Sequence, residues 1–364
     1  MHVLVLSPTL YDTSPAMRFR FEQWARYIDP ADCQFTFAAF ADEALHKALS
    51  SSGQHFRKAK LILSAFRRRL KLLPRLIDFD VVFIHREATI LGPAFLERLI
   101  HRRGIPIVYD FDDPIWMPYS SPTNGMLSYL KWSSKVAGIC RLATAVTAGN
   151  RLLADWSRQL SNNVHVVPST VDLARYPEKQ HADSAQPVTL GWTGSHSTLP
   201  FLEELLPTLA RFAATQAFRL QVISHTDCYQ PPGLTVEVES KKWRADSEAE
   251  DLLGMDIGLA PFPDKGWTPW RCHGKILQYM AAGIPTVASP IGIVPDYIQD
   301  GVNGFLAASP EEWIEKLGRL ARDRELRQRI GSAGRATIRE RYSAEVWAPR
   351  FLEILRQAKE MGAG

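Results

Sequence analysis

The run Trp270–Pro285 contains residues whose types and spacing suit the binding of a phosphorylated ligand. Arg271, Lys275 and Gln278 are spaced i, i+4, i+7, so they share one face of a helix if the helix includes Arg271. Two cations beside the free N–H groups of a helix start favour a diphosphate, and a glutamine can both donate to and accept from ribose hydroxyls. The alternative is a surface helix carrying two solvated cations.

A second group of chemically capable residues lies in Tyr109–Pro114, directly after an apolar strand. This segment holds three carboxylates at the carboxyl end of a strand, where parallel sheets place ligands, and two of them are Asp112 and Asp113. Mutual repulsion is expected to raise the pKa of at least one carboxyl group, which would suit it to proton transfer. Capping of a turn by aspartate and a metal-binding Asp-x-Asp remain alternatives.

Smaller polar clusters follow other predicted strands. Thr193, Gly194 and Ser195 lie between a strand and a helix, where small residues let backbone N–H groups approach phosphate; an ordinary turn is the alternative. After the first strand, the loop from Ser14 leads to two arginines that could bring charge to a ligand or lie on a solvated helix face, namely Arg18 and Arg20. His85 ends another strand, although a lone histidine is more often structural.

Short apolar runs alternate with helical patterns along the whole chain. In the first half the predicted strands are Val3–Leu6, Gln34–Ala38, Val81–Ile84, Pro106–Tyr109, Ala145–Thr147 and Val164–Val167. In the second half they are Val188–Trp192, Leu220–Ile223, Thr235–Val238, Ile257–Ala260 and Thr286–Ala288. Apolar strands separated by helices predict parallel sheets covered on both faces. The fold class is therefore α/β, with two Rossmann-like, doubly wound domains facing a central cleft.

The 364 residues are too many for one ordinary domain. We expect a first domain over 1–175, a second over 186–343, and a last segment, 344–364, that packs back on the first. Glu178–Pro187 is polar and aperiodic, which favours an interdomain linker.

Composition limits the function classes. The four cysteines have no paired spacing, so neither a disulfide framework nor a zinc site is indicated. No run reaches the roughly 18 apolar residues of a membrane span, and the N-terminus does not have the pattern of a signal peptide, so a cytoplasmic protein is expected. The net charge of +4 is local, because eight basic and no acidic residues fall in Phe56–Leu76. A general nucleic-acid binder is therefore not expected, and nucleic acid is not a predicted partner.

The basic segment also has an apolar stripe at helical spacing. The stripe consists of Ala59, Ile62, Leu63, Phe66, Leu70 and Leu73. The cations that fall largely on the rest of the helix are Arg57, Lys60, Arg67, Arg68, Lys71 and Arg75. This pattern predicts a helix that packs its stripe on the first domain, that lies on an anionic membrane surface, or both. In the second case the protein would be peripheral on the inner face of the plasma membrane.

Several runs of the second half occur in an order typical of one family. Asp256–Pro263, Trp270–Pro285, the segment 286–295 and Asp300–Phe305 together resemble the C-terminal domain of the retaining GT-B glycosyltransferases of family 4, the glycosyl transferases group 1. The resemblance implies a GT-B fold, retention of the anomeric configuration, and a nucleotide-diphosphate sugar held mainly by the second domain. UDP- and GDP-sugars are the expected donors. The resemblance implies no required metal, and no cofactor is expected.

The resemblance also assigns roles to residues. The loop Thr193–Ser195 would face the donor phosphates, and Trp243 would stack on the nucleobase unless it is a core tryptophan. Ile293 and Val294 would also contact the donor, and Asp112, with Asp113 beside it, would face the donor sugar and the acceptor. Many members carry two glutamates separated by seven residues, where this chain has Trp270 and Gln278. Glutamine can bind ribose, but tryptophan cannot replace the carboxylate that contacts the sugar.

The expected function is therefore a metal-independent hexosyltransferase whose acceptor is a glycan or a lipid-linked precursor of a cell-surface glycan. In a front-face reaction, Arg271 and Lys275 would stabilise the developing charge on the leaving diphosphate. The alternatives are a GT-B-like sugar-nucleotide epimerase and a non-catalytic nucleotide-sugar-binding protein. A dehydrogenase is not favoured, because no Gly-x-Gly-x-x-Gly follows Val3–Leu6.

Overall fold

The computed structural model describes residues 1–49, 51, 53–117, 132–181 and 187–362. The chain divides into two compact units, one formed by Met1–Ser169 with Trp347–Gly364 and the other by Thr170–Val346. Each unit contains one six-stranded sheet with helices, so the predicted α/β fold with two doubly wound domains is confirmed.

The first unit is built on a parallel sheet of order β2-β1-β3-β4-β5-β6. Its strands are β1 His2–Ser7, β2 Gln34–Ala39, β3 Val81–His85, β4 Ile107–Phe111, β5 Ala145–Ala148 and β6 Val164–Val166. All six strands predicted in the first half of the chain are present. The central strands are buried along their whole length, because helices cover both faces of a parallel sheet.

Seven helices follow or link these strands in the described part of the first unit. They are α1 Pro15–Met17, α2 Gln23–Ala25, α3 Glu43–Leu49, α4 His55–Leu72, α5 Phe95–Arg102, α6 Lys135–Leu142 and α7 Arg151–Arg158. A π-helical turn, Arg18–Glu22, joins α1 to α2, and a 3-10 turn, Leu73–Asp78, continues α4.

The second unit repeats the architecture with strand order β12-β11-β10-β7-β8-β9, again all parallel. Its strands are β7 Val188–Thr193, β8 Phe218–Ser224, β9 Glu237–Lys242, β10 Ile257–Ala260, β11 Thr286–Ala288 and β12 Phe305–Leu306. The edge strand β9 begins two residues later than predicted and extends further. The two-residue strand β12 was not predicted, because so short a run carries no periodicity.

The helices of the second half complete this unit and return to the first. They are α8 Leu199–Ala213, α9 Glu248–Leu252, α10 Gly274–Ala281, α11 Val294–Tyr297, α12 Pro310–Arg322, α13 Arg324–Thr337 and α14 Ala344–Gly362. From Trp347 onward α14 belongs to the first unit, where the Phe351 ring lies 4.9 Å from that of Trp24 and 5.1 Å from that of Phe83.

The segment predicted as a linker is partly held against the second unit. Lys179 donates its backbone N–H to Ala282 and pairs its ammonium group with Asp256 at 3.0 Å, while Glu178 pairs with Arg335 at 3.4 Å. The chain changes unit at residues 169 and 170 instead. The polar character of Glu178–Lys179 predicted an exposed linker, but the two ion pairs hold these residues against the second unit. Residues 182–186 of the expected linker lie outside the described residues.

The apolar stripe predicted on helix α4 agrees only in part with the face that the structure buries. Ile62 and Ala65 are buried with Phe40 and Leu45, and Phe66 packs against this cluster. Ala59, Leu63 and Leu70, which were assigned to the same stripe, are exposed. The prediction was wrong for these three because buried cations occupy part of the inner face; Arg69, for example, donates to three backbone carbonyls.

Candidate functional site

Trp192 is the common support for two candidate donor-binding segments of the second unit. It is fully buried near the end of β7. A Cβ on Gly194 would lie 2.5 Å from its ring, so only glycine lets the following loop lie this close. The ammonium nitrogen of Lys275 lies 4.2 Å from the centre of the same ring. The residues brought together at Trp192 are therefore those that the sequence predicted separately.

Tyr279 fixes helix α10 against the end of β7. Its hydroxyl oxygen accepts a hydrogen bond from the backbone N–H of Thr193 at 2.8 Å. Its ring fills the space beside Gly258, where a Cβ would lie 2.6 Å away. The sequence gave no signal for this role, because Tyr279 has the pattern of an ordinary buried helix residue.

Lys275 is the most unusual charged residue of the site. Its Nζ is buried, it lies near the rings of Trp192 and Phe262, and no residue in the described part of the chain accepts a hydrogen bond from it. Burial and, second, the positive charge of Arg271 hold the pKa of Lys275 well below its usual range. A buried ammonium group without an acceptor is costly, and a bound anion would supply the missing acceptor.

Arg271 does not lie on the same helix face as Lys275 and Gln278, which corrects that prediction. The helix begins at Gly274, after a 3-10 turn over Thr268–Trp270. Arg271 is extended, with φ −75° and ψ 158°, and its guanidinium group stacks 4.9 Å from the ring of Trp267. The break arises because His273 adopts a left-handed conformation, with φ 46°. Arg271 remains close enough to Lys275 to lower its pKa.

The small loop after β7 offers fewer backbone donors than expected. The N–H of Thr193 is used by Tyr279, and the N–H of Gly194 donates to Ile223 at 3.0 Å. Among the described residues, none accepts from the N–H of Ser195, whose hydroxyl lies 2.9 Å from that of Ser197. Of the three amides predicted to approach phosphate, Ser195 is the one whose N–H the fold leaves for a ligand.

Gln278 belongs to a hydrogen-bonded network that the sequence did not predict. Its side-chain amide donates to Glu248 at 2.7 Å and to the hydroxyl of Tyr176 at 3.2 Å. The same Glu248 oxygen accepts from the indole N–H of Trp243 at 3.0 Å. Trp243 is half-buried, so it is not a core tryptophan. Tyr176 and Glu248 also line a cavity of about 540 Å³, which lies beside Gln278.

Ile293 and Val294 are buried at the start of α11. Their side chains are in the core, so a ligand could meet only their backbone. The preceding Gly292 has φ +52°, and a Cβ there would lie 1.9 Å from the carbonyl oxygen of Pro269. Close packing of two loops, rather than access to a ligand, explains this glycine.

In the first unit, the buried centre of the carboxylate cluster is Asp110. Its carboxylate pairs with Arg20 and accepts from Thr147 at 2.7 Å and from Nδ1 of His85 at 2.8 Å. Burial alone would raise its pKa, but the charge of Arg20 and the hydrogen bond from His85 outweigh burial and lower the pKa to about 2. Asp110 is therefore not the carboxyl group with the raised pKa that was expected of at least one member of the cluster. Because Asp110 is ionised, Nδ1 of His85 carries the proton.

Asp112 and Asp113 are held by one guanidinium group. Arg86 lies 2.7 Å from an oxygen of each, and it adopts a left-handed conformation with φ 60°. The two carboxylates raise the pKa of Arg86 despite its burial. The sequence offered one signal for this pairing: Arg86 follows a strand end adjacent to that of Asp112.

Neither arginine of the loop after β1 lies on a solvated face. Arg20 is buried in the pair with Asp110, and Arg18 is buried with its Nε 3.0 Å from Asp12. Ser14 is partly buried and accepts the backbone N–H of Arg18 through its own carbonyl. Nearby, burial is the main cause that raises the pKa of Glu22 to about 7.

The described residues contain no group of three or more His, Cys, Asp or Glu side chains arranged to hold a metal ion. Within the same residues, every helix is too short or too polar to cross a membrane.

Comparison with known proteins relates the second unit to one family. Residues 275–337 match the family model of glycosyl transferases group 1. The sulfoquinovosyl transferase SQD2 of Arabidopsis thaliana is 38% identical over 90 residues, which are 20% of this chain and 18% of that protein. The D-inositol 3-phosphate glycosyltransferase of Streptomyces griseus is 40% identical over 62 residues, 16% of this chain and 13% of that protein. The matches thus cover less than a fifth of either relative.

Similarity to solved structures extends over nearly the whole chain. HepE of Anabaena, solved with UDP and glucose, superposes with a TM-score of 0.68 at 17% identity, covering 98% of this chain and 100% of that one. Sucrose-phosphate synthase of Thermosynechococcus elongatus gives 0.67 at 13% identity, covering 98% and 99%. The chain therefore has the two-domain α/β fold of the GT-B glycosyltransferases, and its second unit contains a segment matching the glycosyl transferases group 1.

Proposed function

We propose that the protein is a retaining, metal-independent glycosyltransferase of family 4 that transfers a hexose from a UDP- or GDP-sugar to a glycan or lipid-linked acceptor. The observation that carries the proposal is the buried ammonium group of Lys275, which has no acceptor among the described residues and has Arg271 nearby. These cations lie at the start of α10 and at the carboxyl edge of a parallel sheet, which is where nucleotide ligands of doubly wound domains bind.

In this proposal the nucleotide-sugar donor binds to the second unit. The diphosphate lies against Lys275, Arg271 and the N–H of Ser195. The ribose meets Gln278, whose amide is oriented by Glu248 and Tyr176. Trp243, which Glu248 also holds, stacks on the base. UDP is the first nucleotide to test because the similar HepE was solved with it.

The chemistry needs no covalent enzyme intermediate. The bond between the anomeric carbon and the diphosphate oxygen breaks while the acceptor oxygen bonds to the same face of that carbon. The acceptor proton passes to the departing diphosphate, whose growing charge Lys275 and Arg271 stabilise. In the first unit, Asp112 and Asp113 orient the acceptor, and Arg86 fixes their position.

The donor can be identified by thermal unfolding with UDP, GDP, ADP, dTDP and their glucose derivatives. A true ligand at 100 times its Kd should stabilise the protein by about 2.7 kcal/mol, which is a clear rise in Tm. Incubating the stabilising sugar nucleotide alone, followed by NMR of the sugar, separates the alternatives. We expect slow hydrolysis with retained configuration at most.

Accumulation of an epimer would indicate an epimerase. Binding with no chemistry, even when crude glycolipid acceptors are added, would indicate a nucleotide-sugar-binding protein. If none of the nucleotide diphosphates changes the Tm, the proposal is overturned.

A further inference from the structure

Helix α4 and the 3-10 turn after it carry a row of large apolar side chains on the outer surface of the first unit. The row consists of Phe56, Leu63, Leu70 and Ile77, which are 88%, 52%, 44% and 88% exposed. The spacing is seven residues, which in an α-helix falls only about 20° short of two full turns. The four side chains therefore follow one line along the helix, although the 3-10 geometry at Ile77 tightens its end.

This row is distinct from the face that holds the helix in place. Ile62 and Ala65 already anchor α4 in the core, with Phe66 packed 5.2 Å from the ring of Phe40. The outer row is not part of this core cluster. Exposed apolar rows of this length are unusual in soluble domains and mark interaction surfaces.

The basic residues of the segment fall into two groups. Three bond to other segments of the unit: Lys58 donates to the carbonyl of Ser51 at 2.6 Å, Arg69 to three carbonyls, and Arg68 pairs with Asp42 at 2.7 Å. Two exposed arginines have only a local partner: Arg57 donates to the side chain of Gln54 at 3.1 Å, and Arg75 lies 3.7 Å from Asp78. The exposed cations beside the apolar row are Arg57, Lys60, Arg67, Lys71 and Arg75. No acidic residue occurs from His55 to Ile77.

We propose that this outer face docks on the surface of an anionic lipid bilayer, with the apolar row in the headgroup region and the cations against lipid phosphates. The combination of an apolar line and flanking cations matches the chemistry of such a surface. A second copy of the chain fits less well. Pairing two identical faces would bring five cations toward five cations, and the adjacent Asp78 already lies 3.7 Å from Arg75.

The docking surface deepens the proposed function, on which its biological meaning rests, because a transferase held on a bilayer takes an acceptor carried by a lipid. The surface itself belongs to the first unit and shares no residue with the donor site around Lys275. Lipid binding and donor binding can therefore fail independently.

Flotation with vesicles tests the surface. The full chain is mixed with vesicles of phosphatidylcholine containing 30% phosphatidylglycerol or with pure phosphatidylcholine, at low and at high salt. We expect strong binding to the anionic vesicles at low salt, loss at high salt, and little binding to neutral ones. Leu63→Gln with Leu70→Gln should lower the partition coefficient about tenfold or more, because the apolar row no longer inserts.

Arg67→Gln with Lys71→Gln should lower the same coefficient about 25-fold at low salt, since each cation near an anionic surface contributes about fivefold. Arg68 is excluded from this variant because it pairs with Asp42. Val302→Gln removes an apolar side chain that is 45% exposed in the second unit, and Lys242→Gln with Arg329→Gln removes two exposed cations there. These controls should bind anionic vesicles as the wild type does.

Absence of wild-type binding to anionic vesicles at low salt overturns the proposal. So does binding that the outer-face variants leave unchanged. A wild-type dimer in sedimentation that Leu63→Gln with Leu70→Gln dissociates would assign the surface to a second copy instead. The Tm shift with nucleotide diphosphate is recorded for every variant, so that a failed membrane surface is distinguished from a failed donor site and from misfolding.

Discussion

The two units place strong charges at the carboxyl ends of their sheets and treat them in opposite ways. In the first unit, Asp110 is paired with Arg20, and Asp112 and Asp113 share Arg86. In the second unit, the ammonium group of Lys275 is buried with no acceptor among the described residues and with another cation nearby. The charges of the first cluster are neutralised by side chains of the folded chain. The ammonium group of Lys275 gains an acceptor only when an anion binds.

This difference helps to distinguish charged residues that stabilise the fold from charged residues that bind a ligand. Burial does not separate the two classes, because Arg20, Asp110 and the ammonium group of Lys275 are all buried. The presence or absence of an oppositely charged or hydrogen-bonding partner does separate them. A buried charge that has its partners stabilises the fold only if both partners stay, and a buried charge without one lowers stability until a ligand binds.

The largest expected effect is a loss of stability when the cation that pairs with Asp110 is removed. Arg20→Met leaves the carboxylate of Asp110 buried without its cation, so the free energy of unfolding should fall by about 3–5 kcal/mol in urea titrations. The matched control is Arg158→Met, which removes an exposed pair with Asp155 and should change stability by about 1 kcal/mol or less. Equal losses in the two variants would mean that the buried cluster is not specially stabilising.

A smaller effect is expected at Lys275, and there the change in stability should be zero or favourable. Lys275→Met should leave the Tm of the free protein unchanged or raise it, because it removes a buried charge without an acceptor. The same variant should weaken nucleotide diphosphate binding by about 1.5–3 kcal/mol, the value of a charge-assisted hydrogen bond. Isothermal titration and thermal unfolding measure the two effects.

The control for this variant is Lys316→Met in the same unit. Lys316 is largely buried but pairs with Asp300 at 3.3 Å and donates to the carbonyl of Leu306. Its loss should lower stability and leave nucleotide binding unchanged. Should Lys275→Met lower the Tm like Lys316→Met and bind nucleotide like the wild type, Lys275 would be a structural residue and the contrast between the units would disappear.

The smallest expected signal is a proton taken up on binding. In the free protein, burial and the charge of Arg271 lower the pKa of Lys275, so part of the population is neutral above that pKa. A bound diphosphate favours the ammonium form and raises the pKa. Binding should therefore take up a fraction of a proton, and affinity should fall as pH rises through the interval between the two pKa values.

Titration calorimetry in two buffers of different ionisation enthalpy measures this uptake. The apparent binding enthalpy of the wild type should differ between the buffers, and that of Lys275→Met should not. Identical enthalpies for the wild type would show that Lys275 is already fully protonated in the free protein.

Much of the fold was predictable because apolar runs and turns are local. All six strands of the first sheet were predicted from such runs. Helix α10 stops at Ala281, just before Gly283, which has φ 69°. The sequence put Arg271 on one face with Lys275 and Gln278 only if the helix included Arg271. The helix begins at Gly274, after a left-handed His273 that has no sequence signature, so Arg271 lies outside it.

The candidate site was predictable only in part. Residue types and strand ends pointed to Asp112 and Lys275, because the carboxyl ends of parallel strands meet at one edge. The partners were missed: Arg86 for Asp112, and Glu248 for Gln278. The outer row on α4 was missed for a related reason, since a helical stripe does not reveal which of its residues the rest of the unit covers.

The sequence by itself determined that this chain forms two parallel sheets and that polar residues cluster where strands end. Both follow from local patterns of apolarity and from the geometry of strands. Only the tertiary structure decided which charges are neutralised. Arg20 and Asp110 are ninety residues apart in the chain, and Lys275 reaches the ring of Trp192 only after folding. Coulomb energy and desolvation depend on distances and burial in space, and spacing along the chain fixes neither of them.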